Sequence, residues 1–180
     1  MIIEALIVET ASEYIGVKEI PKNKGWEDKA FQKAMEQVGW YSGYAWCMLF
    51  AELVWSQSYF NTGRSDIVSQ LSKLFSASVI STWHSAKKSD LFEIGYIPQV
   101  GAIMIMQRYR GGKGTKWGHA GIVNKVIDNV HFTAIEGNTS VVGKVREGDT
   151  VAINKRTIHV IPEGSKDGNY VIGFIYPKIP

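Results

Sequence analysis

The chain has 180 residues, of which 45% are hydrophobic and 12% are aromatic, and it carries a formal net charge of +3. This length and apolar content suffice for a full core and favour a single domain over residues 1–180. The charge is small and scattered, which argues against the strongly basic face that nucleic-acid binding requires. One cysteine and four histidines provide neither a disulfide nor a zinc-site pattern, so no metal and no other cofactor is predicted.

The first half of the chain predicts helices. Apolar residues recur at helical spacing over residues 2–15, and they form one stripe of a second helix over residues 27–38. Residues 46–55 are apolar at nearly every position, so this third helix, which is predicted to end near Tyr59, is predicted to be buried on all sides. Asp66 is the predicted N-cap of further helical structure over residues 66–88, as one broken helix or two short ones.

From Pro98 onward the pattern changes to strands. Residues 108–116 are rich in glycine and charge and predict a mobile hairpin loop, and Asp128 and Asn129 form a dipeptide suited to a tight turn. A further loop is predicted at residues 162–168. Strands are predicted at residues 102–106, 118–126, 130–138, 151–158 and 171–176. Helices followed by a meander of strands indicate an α+β fold with an antiparallel sheet.

Cys47 is the single cysteine, and it lies in the first turn of the predicted third helix. Unpaired backbone N–H groups and the positive end of the helix dipole favour a thiolate at this position. Cys47 is therefore a candidate nucleophile. The alternative is a small core residue, and the nucleophile hypothesis requires a base elsewhere in the chain.

The predicted hairpin around residues 128–129 supplies candidates for that base. If the turn consists of these two residues alone, counting outward places His119 opposite Asn138 and Gly121 opposite Glu136. Side chains alternate along a strand, so His119, Glu136 and Asn138 point to one face. A glycine opposite the carboxylate leaves room for the imidazole to reach it.

The other three histidines fit the role of base less well. His131 falls on the opposite face of the hairpin by alternation. His84 lies in a predicted helix and His159 in a late strand. Each is predicted to be a structural or surface residue.

Cys47, His119 and Glu136 together match the requirements of thiol acyl transfer. The chemistry needs a thiolate to attack a carbonyl, an imidazole to move the proton, and a third group to orient the imidazole. Asn138 is the alternative orienting group. The backbone N–H of Cys47 is the natural donor to the oxyanion.

Several aromatic residues lie near these positions in the sequence. Tyr41 or Tyr44 could add a hydroxyl to the oxyanion site, and Tyr41, Tyr44, Trp46 and Trp117 are candidates for substrate binding. Each of them could equally be a core residue, and for Trp117 the two interpretations have equal weight.

Motifs spread over most of the chain carry a family resemblance. They are Ala11–Pro21, Trp46–Phe50, Pro98–Gly101, Gly118–Val123, Glu136–Asn138 and Ile172–Pro177. In these segments the sequence resembles the CHAP family of cysteine- and histidine-dependent amidohydrolases and peptidases, most closely its small single-domain members. The resemblance implies a papain-like α+β fold with Cys47 as nucleophile, His119 as general base and acid, Glu136 as the imidazole partner, and Asn138 nearby.

The resemblance also implies an activity. It predicts a monomeric peptidoglycan hydrolase, either an endopeptidase or an N-acetylmuramoyl-L-alanine amidase, and the role of a phage endolysin is among those that it implies. The sequence departs from the family pattern in two respects. Ala102 stands where an acidic or larger apolar residue is common, and a separate wall-binding domain is lacking. The alternatives are a cysteine amidase or acyltransferase on another peptide or conjugate, and an inactive wall-binding module on the same fold.

The first ten residues lack the basic and long apolar regions of a signal peptide. No segment is long and apolar enough to span a membrane. The expected route to the cell wall is therefore release through a membrane pore or an export apparatus.

Overall fold

The computed structural model describes residues 2–140, 148–159 and 167–178. Within these residues the helices are α1 Ile3–Ser12, α2 Lys29–Gln37, α3 Cys47–Asn61, α4 Ser65–Leu74 and α5 Val79–Lys88. The strands are β1 Ile94–Gly95, β2 Ile103–Arg110, β3 Lys113–Val126, β4 His131–Thr139, β5 Thr150–Thr157 and β6 Gly168–Ile175. Most of the loop predicted at residues 162–168 lies outside the described residues.

The described strands form one antiparallel sheet in the order β1-β6-β2-β3-β4-β5. Helices come first along the chain and strands follow, so the prediction of an α+β fold with an antiparallel sheet is confirmed. None of the helices in the described part of the chain is long and apolar enough to cross a membrane.

The central element is α3, which packs against α1, α2 and α4 on one side and against β3 and β4 on the other. Phe50 and Trp55 are completely buried, and the indole N–H of Trp55 donates to the carbonyl oxygen of Gly101 at 3.1 Å. A helix that is apolar all round needs partners on every side. The predicted all-round burial is therefore confirmed for residues 46–55, whereas Ser56 and Gln57 are half-buried and Phe60 is exposed.

The helical region after α3 consists of two helices, α4 and α5. Ser78 caps α5 by accepting the backbone N–H of Ser81. The prediction that Asp66 is an N-cap was wrong, because α4 already begins at Ser65 and Asp66 lies in its first turn. Its carboxylate pairs with the guanidinium of Arg64 at 2.8 Å.

The segment 108–116 is not a loop, so that prediction was wrong. The β2–β3 ladder continues through Tyr109↔Gly114 to Arg110↔Lys113. The connecting residues 111–112 are both glycines with positive φ, of +53° and +75°, which is the backbone that two-residue hairpin turns require. The glycines thus build a tight turn, and the basic residues beside them lie on paired strands.

The β3–β4 turn is longer than predicted. Near the turn Val126 pairs with Phe132, and the backbone N–H groups of Ile127 and Asp128 both donate to the carbonyl oxygen of His131, at 2.9 and 3.1 Å. The side chain of Asp128 closes this wider turn by accepting the backbone N–H of His131 at 2.7 Å. The prediction of a turn of two residues was wrong.

A β-bulge in β3 nevertheless restores the predicted register farther along the hairpin. The pairing shifts by one residue between Val123 and Lys125, so that Val123 pairs with Ala134 and Ile122 with Ile135. A bulge inserts one extra residue into one strand, and here it offsets the residue added by the longer turn. These two pairs are the ones that the shorter turn predicted.

The sheet has a buried cluster on each face. Ile105 and Ile122 pack with Trp55 in the larger cluster, between the sheet and the helices. Met104 and Phe132 belong to the smaller cluster on the opposite face. Neighbouring residues of β2 thus face opposite sides, as strand geometry requires, and the predicted burial of this strand on both faces is confirmed.

Gly137 on β4 allows close contact between the sheet and α3. A Cβ at Gly137 would lie 2.5 Å from the ring of Trp46 and 2.8 Å from Cβ of Phe50. Gly137→Ala should lower the free energy of unfolding by about 1–3 kcal/mol, because packed groups must move apart. Urea unfolding would measure this, with Gly114→Ala as control, since its Cβ would meet only the end of the Gln107 side chain. Equal stability of the two variants would contradict the close-packing account.

Candidate active site

Cys47 is the first residue of α3 and is only 4% exposed. Its thiol lies within hydrogen-bonding reach of the imidazole of His119 and of the backbone N–H groups of Ala120 and Met48. Two of these three partners come from β3, so the packing of α3 against the sheet brings the thiol to the imidazole. The structure thus brings together the two residues that the sequence placed 72 positions apart.

His119 lies on β3 and is 3% exposed. Its Nε2 is 2.9 Å from Oε2 of Glu136 on β4, which leaves Nδ1 as the ring nitrogen available to Cys47. A Cβ at Gly121 would lie 2.5 Å from Cγ of Glu136. The glycine opposite the carboxylate therefore provides the space that the sequence analysis required.

Glu136 is completely buried and has further partners that sequence reasoning missed. Arg156 on β5 donates from Nε to Oε1 at 2.6 Å, and from Nη2 to Oε2. Asn154 donates to Oε2 at 3.2 Å, and the hydroxyl of Thr139 donates at 3.3 Å. The sequence signal for these partners was the pair of polar residues, Asn154 and Arg156, at alternate positions of β5. Local sequence patterns could not predict that β5 pairs with β4, so they could not assign the two residues to Glu136.

Asn138 lies beside the site in a left-handed backbone conformation with φ of +52°. Its Oδ1 is buried and has no hydrogen-bond partner among the described residues. The hydrogen bond to the ring of His119 comes from Glu136. Of the two groups predicted as orienters, the structure therefore bonds Glu136 to the imidazole, whereas the amide oxygen of Asn138 has no partner among the described residues.

A cleft of about 530 Å³ opens over the thiol and the imidazole. Asn138 lines it, and Arg108, Arg110 and Lys116 provide basic side chains. None of the described lining residues is acidic. Trp117 also lines the cleft, is 63% exposed, and has the ammonium of Lys116 5.3 Å from its ring centroid. Trp117 is thus a surface residue of the cleft and not a core residue.

The other aromatic candidates lie elsewhere. Trp46 is completely buried, packs on Trp26 at 5.1 Å between ring centroids, and donates its indole N–H to the carboxylate of Glu19. Tyr41 and Tyr44 are exposed, contact each other at 5.8 Å between ring centroids, and are not among the described residues lining the cleft. Trp46 is not available to a substrate, because residues distant in sequence such as Trp26 enclose it. Substrate contacts of Tyr41 and Tyr44 stay a prediction.

The remaining histidines, His84, His131 and His159, are exposed. His131 pairs with Asp128 at 2.8 Å on the turn. Residues 2–140, 148–159 and 167–178 contain no group of three or more His, Cys, Asp or Glu side chains placed to hold a metal ion.

Comparison with models of known protein families assigns the chain to one of them. The model of the CHAP domain matches residues 39–138, which is more than half of the chain. The chain belongs to the CHAP domain family. Members are in general cysteine- and histidine-dependent amidohydrolases or peptidases acting on peptidoglycan. Searches of curated proteins and of solved structures returned no match.

Charge interactions shift the pKa values of this CHAP site toward an ion pair. Burial acts to raise the pKa of the Cys47 thiol, but the neighbouring imidazolium and the backbone N–H groups outweigh it and lower that pKa. Burial acts to lower the pKa of His119, yet Glu136 and the thiolate raise it to about 9. Burial likewise opposes ionisation of Glu136, while His119 and Arg156 lower its pKa to about 2.

These shifts favour the thiolate and the imidazolium over the neutral thiol and the neutral imidazole. The thiolate is the nucleophilic form of cysteine, and the imidazolium is the form that can protonate a leaving amine. As pH rises through about 9, His119 loses its proton. The site thus favours a nucleophile and a proton donor side by side, and the proton donor is lost above about pH 9.

The ion pair predicts fast alkylation of Cys47 at neutral pH. His119→Ala should slow the reaction with iodoacetamide at about pH 7 by at least about tenfold, because the imidazolium then no longer opposes the effect of burial on the thiol pKa. His131→Ala, which removes an exposed histidine, should leave the rate unchanged. Rates measured between about pH 5 and pH 9 give the thiol pKa of each variant. A profile that is the same with and without His119 would contradict the ion pair.

The buried pair of Glu136 and Arg156 predicts non-additive stability effects. Glu136→Gln should lower the free energy of unfolding by about 3–5 kcal/mol, because Arg156 then keeps its charge without its carboxylate partner. Adding Arg156→Gln should recover part of this loss, since no unmatched charge remains. Urea unfolding of both single variants and of the double variant completes the cycle. Simple addition of the two losses would show that the pair is not coupled.

Proposed function

We propose that the protein hydrolyses an amide bond of bacterial peptidoglycan through a thiol acyl-enzyme formed on Cys47. The observation that carries this proposal is the continuous chain of contacts from Cys47 through His119 to Glu136, which ends in an open cleft. Each member has the environment that its role needs: a thiol at a helix start, a buried imidazole between two partners, and an ionised carboxylate.

In the proposed mechanism the thiolate of Cys47 attacks the carbonyl carbon of the scissile amide. The imidazolium of His119 gives its proton to the leaving amine, and the C–N bond breaks to leave a thioester. A water molecule then gives a proton to His119 and attacks the thioester, which releases the acid and regenerates the thiolate. Glu136 keeps the imidazole oriented and stabilises its charged form.

The oxyanion formed on attack needs hydrogen-bond donors at the start of α3. The backbone N–H of Cys47 lies at the first helical position, where no carbonyl one turn earlier in the helix accepts it. Asn138 lines the cleft and is better placed to supply a side-chain donor than Tyr41 or Tyr44. We therefore assign the oxyanion site to the Cys47 backbone and the Asn138 amide.

The cleft wall supports a peptide substrate with free carboxylates. Arg108, Arg110 and Lys116 carry positive charge beside the thiol, and Trp117 presents an exposed ring at the same cleft. Stem peptides of peptidoglycan carry free carboxylates, which basic side chains bind favourably. This charge pattern supports an endopeptidase on stem peptides, or an amidase at the bond that joins them to the sugar.

The proposal extends to the setting in which the enzyme works. Ile3 and Ile7 are buried in the core, so α1 belongs to the folded domain. For the route to the wall we propose release through a membrane pore or an export apparatus. A small endolysin that acts as a monomer fits that route.

Digestion of purified peptidoglycan tests the proposal. The wild type should release fragments with new amine ends, while Cys47→Ala and His119→Ala should reduce release by at least about 10³-fold because the acyl-enzyme cannot form or break down. His131→Ala is the matched control and should keep wild-type activity. Mass spectrometry of the fragments identifies which amide bond is cut, and walls with different stem peptides identify the preferred substrate.

Two outcomes would count against this function. Equal release by Cys47→Ala would exclude the thiol mechanism. No release from any wall, together with fast alkylation of Cys47, would point to amide hydrolysis or acyl transfer on a different conjugate.

A further inference from the structure

A second cleft lies on the helical side of the molecule, away from the thiol. Its volume is about 770 Å³, and its walls come from α1, α2, α3 and α4. It shares no described lining residue with the cleft over Cys47. The proposed hydrolysis makes no use of it.

Glu52 lies on α3 and lines this second cleft. The residue is only 3% exposed, yet its carboxyl group makes no hydrogen bond or ion pair with the described part of the chain. Burial raises its pKa to about 8. Glu136 is also buried but has Arg156 and His119 as partners, whereas no group of opposite charge among the described residues pairs with Glu52.

The surroundings of Glu52 combine negative charge with apolar walls. Glu9 and Glu13 of α1 line the same cleft, and none of its described lining residues is Lys, Arg or His. Leu6 and Val68 contribute apolar surface. An acidic cleft stands out in a chain whose formal net charge is +3.

We propose that this cleft binds a primary alkylammonium group, the chemistry shared by a lysine side chain and a free alkyl amine. The ammonium pairs with the carboxylate of Glu52, and its methylene chain packs on Leu6 and Val68. A buried carboxyl group without a partner is unfavourable, and an ammonium that donates to it removes that penalty. A metal ion is a poorer match, because the described residues contain no cluster of three or more ligating side chains.

An NMR titration with two ligands of equal length tests the proposal. Pentylammonium should shift backbone amides around the cleft, including those of Gln57 and Val68, whereas pentan-1-ol should bind at least about tenfold more weakly because it has no charge to pair. Glu52→Gln should weaken pentylammonium binding by at least about tenfold. Glu27→Gln removes an exposed carboxylate outside the described cleft lining and should leave binding unchanged.

Two further measurements make the outcome decisive. A thermal melt and the alkylation rate of Cys47 show whether Glu52→Gln keeps the fold and the thiol site, as we expect from its near-identical shape. The titration is repeated with the capped peptide Ala-Lys-Ala. If this peptide binds more tightly than pentylammonium, the natural source of the ammonium is a lysine of a polypeptide; if the peptide binds more weakly, the source is a free amine. Any one of three results overturns the proposal. These are equal binding of the alcohol and the amine, equal binding of the amine to Glu52→Gln and to the wild type, and no shift of the amides at the cleft.

Discussion

The buried carboxylate of Glu136 is the group on which the site depends. It joins three neighbouring strands, because it bonds His119 on β3 and Arg156 and Asn154 on β5 while it belongs to β4. Such a group is stable as an anion only if its partners replace the water that burial removes. The same bonds that hold the carboxylate ionised also hold the imidazole in place and favour its charged form. Stability of the sheet and chemistry of the site are therefore linked through one side chain.

The thiol reaches this network because of the way α3 is buried. A helix that is apolar on every side is enclosed by other helices and by the sheet, which sets the position of its first residue, Cys47, against β3. Close approach of β4 at Gly137 completes the contact. The nucleophile and the base thus belong to different elements of a shared core, and neither depends on a flexible loop for its position.

The fold carries two clefts of opposite charge on its two sides. The cleft over Cys47 has basic walls, and the cleft beside Glu52 has acidic ones. Glu136 and Glu52 show how the pKa of one residue type depends on its surroundings. Burial acts to raise the pKa of Glu136, but the opposite charges beside it lower that pKa to about 2. Burial alone raises the pKa of Glu52 to about 8. In the first case the protein supplies the opposite charge. In the second we infer that a ligand does.

Local patterns in the chain were enough to predict the order of helices and strands, the helix start at Cys47, and the shared face of His119 and Glu136. These features follow from periodicity and hairpin alternation, which act between near neighbours. The predicted register between β3 and β4 is correct near the site only because a bulge in β3 offsets a turn that is longer than predicted. Three features could not be predicted in this way. They are the partners of Glu136 on β5, the enclosure of Trp46 by residues such as Trp26, and the positions of Tyr41 and Tyr44 outside the described lining of the cleft. They result from contacts between segments far apart in sequence, which form only when the sheet and the helices pack together.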